Sequence, residues 1–309
     1  MNSRSGRAEP ALAALLVCGL VATSAAAADG VVEIHPLCAT TTGCFSGDAP
    51  GYPVVIDGSA GRSYRLTGDL VLPDADTTGI LIGAPDVRID LGGFRIVRAA
   101  CGGAVVDCTP SEGSGRGIVV SNFTGVRGVA VRNGSIIGMG DEGLLLGRQA
   151  EVRDVRARWN RGTGIEVLAG STVTGCAAWE NGDNGIAAGS GSVVSGSSAA
   201  GNAGSGIWVF TGASVLGSAA WANGGDGITA GEGSTVSGNT CFQNAGDGIE
   251  AGPGSTAAGN TVRGNGGFGL RLGTGSAWRD NTVTGNAAGT VEGGVQVGGN
   301  VCNGSGLCP

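Results

Sequence analysis

Four carboxylates and two guanidiniums fall close together near the middle of the chain: Asp141, Glu142, Glu166 and Asp183, with Arg158 and Arg161. Two carboxyl groups at a suitable separation can share glycoside cleavage, one protonating the leaving oxygen while the other activates water or attacks carbon. An arginine can stand in as a base where no histidine or lysine is at hand. The candidates for catalysis are therefore Asp141, Glu142, Glu166, Asp183 and Arg161. The plainer alternative is that these acids decorate a solvated turn.

A second set could bind without reacting. Trp179, Trp221 and Phe242 recur in one register, Trp208 lies in another, and Trp159 follows one residue beyond the first. Aromatic faces on a rigid sheet offer an apolar surface to sugar rings. Trp179, Trp208, Trp221 and Phe242 are the ligand-binding candidates, and aromatic shielding of one sheet is the alternative reading. Metal chemistry is poorly supplied. The only histidine is His35, and no Cys-x2-Cys spacing occurs. "GGDGI" differs from the calcium-binding nonapeptide because its Asp precedes Gly and recurs at a much longer interval than a nonapeptide allows. No cofactor is expected, with Ca²⁺ the one ion to consider.

The elements that must hold these residues show themselves as a repeat. Leu144, Ile165, Ile186, Ile207, Ile228, Ile249, Leu270 and Val291 follow one another at a constant 21-residue interval, without exception. Counting each repeat from this residue, position 17 is Asn seven times over: Asn160, Asn181, Asn202, Asn223, Asn244, Asn265 and Asn286. Gly closes six of the seven repeats. With 64 Gly and 9 Pro the chain would read as low-complexity if it were aperiodic, but this period and 41% hydrophobic residues predict a packed core. Helices are excluded, since each interior Gly costs up to ~1 kcal/mol relative to Ala.

Each repeat carries three short patches of period two, for example Ile228-Thr229-Ala230, Ser234-Thr235-Val236-Ser237 and Thr240-Cys241-Phe242. Three strands in so short a repeat leave no room for a hairpin return, so every strand must stack on its equivalent one repeat away. The prediction is an all-β fold, a single-stranded parallel solenoid of 21-residue coils with the Ile, Ala/Val and Val columns inside. The asparagines then form a structural ladder at a tight turn, bonding amide to amide. Acidic residues Glu142, Asp226 and Asp247 share the position just before the repeat Gly.

The pattern "GI…GSTVSGN…N…GI" resembles the right-handed parallel β-helix repeat of the pectate lyase-like superfamily, including its carbohydrate-binding and sugar-hydrolase members. "DVRIDLGGFRI" is similar to an early coil of such proteins, and the resemblance spans roughly residues 54 to 300. It implies a polysaccharide or cell-surface glycan as ligand, with lysis, hydrolysis, epimerisation or plain binding as the action. The family's catalytic sets are missing: the coils hold no His, no Lys and no Asp-Asp, and Asp-Pro-His does not occur. Binding without turnover is thus the first expectation. An enzyme acting on an acidic glycan is the second, and a purely structural surface or envelope protein the third.

The remaining organisation follows. Residues 1–28 read as a signal peptide, with Arg4 and Arg7 before an apolar run from Ala11 to Ala22 and Ala26-Ala27-Ala28 at the cleavage site. Residues 29–78 would be an N-terminal segment and cap, 79–300 the β-helix with a loop insertion at 98–117, and 301–309 a Cys-closed tail. About five extra residues are expected around "NGSIIGMGDEG". Cys38–Cys44, Cys101–Cys108 and Cys302–Cys308 are expected disulfides in an oxidising compartment, which fits a secreted, periplasmic or cell-surface protein. A net charge of −7 with no Lys argues against nucleic acid. No membrane insertion is expected after signal cleavage, and the chain is expected to act as a monomer.

Overall fold

The computed structural model describes residues 30–58, 62–102, 108, 112–304, 306 and 308; the expected signal peptide lies outside them. The chain winds into a parallel β-solenoid of about 11 turns. Three short strands per coil build three parallel sheets, and equivalent residues pair one repeat apart. Ile165 pairs with Ile186 on the first sheet, Val173 with Val194 on the second, and Ala178 with Ala199 on the third. Their side chains point inward and are fully buried, as are Ile207, Ile228, Val215, Val236, Ala220 and Cys241 one and two coils on. Small residues on the third sheet leave space for the Ile column opposite, so a narrow interior fills densely.

Each coil turns three corners by one device. A residue with positive φ precedes one that, where it is polar, accepts a backbone N–H of the preceding coil with its side-chain oxygen. At position 6, Gly191 (φ 67) precedes Ser192; at position 11, Gly238 (φ 67) precedes Asn239; at position 16, Glu180 (φ 54) precedes Asn181. The expected asparagine ladder is present. Asn181 Nδ2 donates to Asn202 Oδ1 at 2.9 Å and to the Ala157 carbonyl at 3.2 Å, while its own Oδ1 accepts from the side chain and backbone of Asn160. Every polar group of the buried amide is satisfied. The repeat Gly is required beside it, because a Cβ on Gly185 would lie 2.6 Å from Asn202 Nδ2.

A second ladder occupies position 12. Asn239, Asn260, Asn281 and Asn300 bond amide to amide at 3.0–3.1 Å, and Ser197 and Ser218 continue the line toward the N-terminus. Position 7 supplies a third through Ser171, Ser192, Ser234, Ser255 and Ser276.

Parallel pairing starts ahead of residue 79, with Val32–Ile34 on Tyr64–Leu66 and Val54–Ile56 on Ile80–Ile82. The strand Val32–Ile34 and the helix Pro36–Thr41, tied by Cys38–Cys44, close that end. The five extra residues of the irregular coil are not around residues 133–143. Ile118 pairs with Leu144, a longer step than the repeat, but Ala130 already pairs with Glu151 at the regular step, so the excess lies in the turn 121–129. The Cys101–Cys108 and Cys302–Cys308 disulfides are formed, and Cys176 and Cys241 are free and buried. At the far end, Gly289–Gly298 pairs only with Phe268–Arg279 among the described residues, leaving Val295 and Val297 about 60% exposed. No described helix is long and apolar enough to cross a membrane.

Candidate functional site

Positions 18 to 20 form the outer part of the turn that leads from the third sheet to the first. Stacking these turns brings Asp141, Glu142, Arg161 and Asp183 together, and Glu166 joins them from the adjoining strand Ile165–Val167. All five catalytic candidates line one open cavity of about 470 Å³, with Glu112 and Thr163 at its rim. Arg158, by contrast, lies on the third sheet with its guanidinium 4.4 Å from the Trp159 ring centroid.

Sequence reading missed the residue that organises this cavity. Arg116 bonds Asp141 with one guanidinium nitrogen and Glu142 with another. It sits more than a full repeat before Glu142, at the end of the 98–117 loop, where the regular count is broken; no spacing signal marks it. Arg161 approaches Glu112 at 3.8 Å. Thr163 donates its hydroxyl to Asp183 at 3.2 Å. Burial raises the pKa of Glu166, and the negative charges of Glu142 and Asp183 add to it. Asp141 is also raised, by burial and then by Glu142, against the opposing pull of Arg116. The cavity thus holds carboxyls that keep a proton more readily than free ones, as acid catalysis requires.

Four coils from Glu166, a second acidic group has formed. The carboxylate oxygens of Asp226, Asp247 and Glu250 lie within 4.8 Å of one another. Two of the three, Asp226 and Asp247, already accept from donors of the turn. Asp226 accepts the Asp247 N–H at 2.7 Å and the Thr229 hydroxyl at 3.0 Å; Asp247 accepts the Phe268 N–H at 2.6 Å and lies 3.1 Å from the Arg271 guanidinium. Asp247 is buried and caps its turn as the amides do elsewhere. Burial, then the charge of Asp226, raises Glu250. A divalent ion here would have to displace these donors and Arg271, so the donor set fits an internally bonded turn better than a Ca²⁺ cage.

The aromatic candidates divide. Trp221 and Phe242 stack one coil apart, centroids 5.9 Å and planes 2° from parallel, and Arg263 covers Phe242 at 5.1 Å. Ring faces turned to one another are closed to a ligand. Trp179 belongs to the same column, with Ala200 between it and Trp221. Trp159 packs against a small cluster of Val97, Ile137 and the Cys101–Cys108 bridge. Trp208 differs. It projects from the first sheet, 38% exposed, against Phe210, 45% exposed, with centroids 4.6 Å apart and planes tilted by 43°. On the sheet Trp208 lies between Ala187 and Thr229, and Phe210 falls between Gly189 and Gly231 in the repeat. The two rings therefore stand proud of a floor of small residues. Phe210 could have been found as one of two breaks, with Leu168, in a Gly column at position 4.

In register, the outward column of the first sheet runs Glu166, Ala187, Trp208, Thr229, Glu250. Acidic cavity, aromatic pair and acidic triad share one face of the solenoid.

Comparison with known proteins bears on this fold. Residues 92–288 match the family model of the right-handed β-helix region. Comparison with curated protein sequences finds no match. Among solved structures, pectate lyase Pel9A is similar with TM-score 0.60 and 18% identity over 87% of this chain and 79% of its own. The A-module of mannuronan C-5 epimerase AlgE6 from Azotobacter vinelandii gives TM-score 0.59 and 15% identity over 77% and 70%. At such identities the likeness is one of fold. The family match covers more than half of the sequence, and the coils, corners and inward columns agree with it: the chain belongs to the right-handed parallel β-helix family.

Proposed function

We propose that this protein binds an extracellular or cell-surface polysaccharide along the outward face of its first sheet. The observation that carries the reading is the Trp208–Phe210 pair, two exposed rings on a rigid sheet flanked by Ala187, Gly189, Thr229 and Gly231. A rigid aromatic platform meets a sugar's apolar face with little ordering cost, since the backbone beneath is already fixed by ladder bonds. Similar structures named for action on mannuronan and pectate support a glycan ligand. Three disulfides support a secreted or periplasmic setting. A glycan array probed with the native protein and with Trp208→Ala tests the reading. A native signal lost in the variant is the expected result; no glycan retained by the native protein would overturn it.

The raised carboxyls Asp141 and Glu166 favour a second reading, in which the cavity hydrolyses a glycosidic bond. Incubation with a panel of neutral and acidic polysaccharides should then release reducing ends, and Glu166→Gln should abolish the release. Silence over the whole panel removes this reading and leaves binding intact.

A further inference from the structure

The face that presents Trp208 is asymmetric in charge. Arg116 is shared by Asp141 and Glu142, and Arg271 is shared by Asp247 and Glu292. Among the described residues, neither Glu166 nor Glu250 has an ion pair, and both stand in the same outward column as Trp208, one on each side of it. Each carboxylate is two coils from the indole, roughly 10 Å along the axis at the ordinary strand spacing. Asp183 stands near Glu166, and Asp226 near Glu250; the guanidiniums beside them are each set among acids, Arg161 approaching Glu112 at 3.8 Å and Arg271 shared by Asp247 and Glu292, so acids outnumber cations at both ends of the column. The rest of the molecule reinforces this, with a net charge of −7 and no Lys.

From this order of groups we infer that the glycan bound on the first-sheet face is cationic, a chain of hexosamines carrying free ammonium groups rather than uronates or N-acetylated sugars. The inference rests on the polysaccharide-binding reading and specifies its ligand. A sugar chain laid along the axis meets carboxylate, ring pair and carboxylate in turn. An ammonium on a ring stacked over Trp208 gains from the indole's electron-rich face, and its neighbours reach Glu166 and Glu250. A uronate in the same place would set its carboxylate among like charges, an arrangement that discriminates by repulsion. A neutral sugar would keep only the stacking. The negative field of the whole chain would draw a polycation toward the face and slow a polyanion.

Calorimetric titration of the full chain with four defined oligomers tests this. The probes are β-1,4-linked glucosamine oligomers, the same oligomers fully N-acetylated, cello-oligosaccharides of matching length and oligogalacturonate. The deacetylated oligomer should bind tightest, weaken as salt is added, and lose about threefold in affinity for each of Glu166→Gln and Glu250→Gln, as partly exposed charge contacts do. Trp208→Ala should weaken every oligomer that binds. Both carboxylates point out of the core, and circular dichroism of the variants verifies that the coil is kept. Equal affinity for the acetylated and deacetylated forms, or preference for oligogalacturonate, overturns the cationic assignment while leaving polysaccharide binding standing. Binding of the deacetylated oligomer that Trp208→Ala leaves unchanged also overturns it, because the ligand then sits elsewhere. Failure of all four oligomers and of the glycan array removes the broader reading and this one with it.

Discussion

Asn181 and Asp183 are two residues apart in one turn, yet they meet opposite fates. Asn181 is buried in a ladder whose rungs are 2.8–3.0 Å apart from Asn160 to Asn286. Asp183 lines an open cavity with other acids. An amide carries both donors and acceptors, so identical copies satisfy one another at the coil spacing however many are stacked. A carboxylate only accepts, and its copies repel. An acidic column therefore needs something else in every coil: a backbone N–H for Asp226 and Asp247, Arg116 for Asp141 and Glu142, Arg271 for Asp247, or a retained proton. The amide corner is complete within the scaffold. The acidic corner is left with unsatisfied charge, and that is where a ligand can act.

The largest effect should come from breaking the amide corner. Asn223→Ala removes the acceptor of Asn202 and a donor to Asn244 and Ala199, leaving buried groups without partners. Destabilisation of about 3 kcal/mol is expected, read as a fall in denaturation midpoint. An unchanged midpoint would mean that the ladder merely follows the coil. Next comes the acidic corner's counter-charge. Arg116→Ala strands Asp141 and Glu142, partly exposed side chains, and should cost about 1–2 kcal/mol at neutral pH and less in mild acid, where protonation relieves the repulsion.

The two corners should also differ in their response to pH. Asp141, Glu166, Asp247 and Glu250 all have pKa values raised in the folded chain, burial being the first cause in each. A carboxyl that holds its proton more tightly when folded stabilises the fold below its ordinary titration range, and that contribution is lost as pH rises through the folded value. The melting temperature should therefore climb as pH is lowered from 7 toward 5, and Glu250→Gln should flatten the climb. The amide ladder has no part in it. A melting temperature that falls steadily over this range would refute the sign.

The smallest effect belongs to a position where ladder chemistry is interchangeable. Cys176 fills position 12, one coil before Ser197, and its thiol donates to the Thr174 carbonyl as the Ser197 hydroxyl does to that of Ser195. Cys176→Ser should alter stability by less than about 1 kcal/mol. In the native protein the thiol should resist alkylation, since burial pushes its pKa up to about 11.

That column also shows why part of the scaffold was hidden. Position 12 reads Val155, Cys176, Ser197, Ser218, Asn239, Asn260, Asn281, a drift with no repeated letter until midway. From Ser197 onward the corner uses a side-chain oxygen to accept the N–H of the preceding coil, and Ser or Asn supplies it equally. Position 17 needs the reach and the two-way bonding of an amide, so it stays Asn and could be read directly. The acidic cavity was legible in its members because they lie within consecutive regular turns. Arg116 was not, because the loop before it and the long turn 121–129 shift the count ahead of it.

By itself, the sequence determined the coil, its inward columns and the amide ladder. A strict 21-residue period turns each local preference into a column, and only stacking satisfies all the columns together. Tertiary structure alone decided which rings face outward and which charges are left over. Trp221 and Trp208 are the same residue on outward positions of two sheets. A ring in the next coil covers one and small residues leave the other standing clear, since a side chain's exposure depends on the volume of neighbours a full coil away.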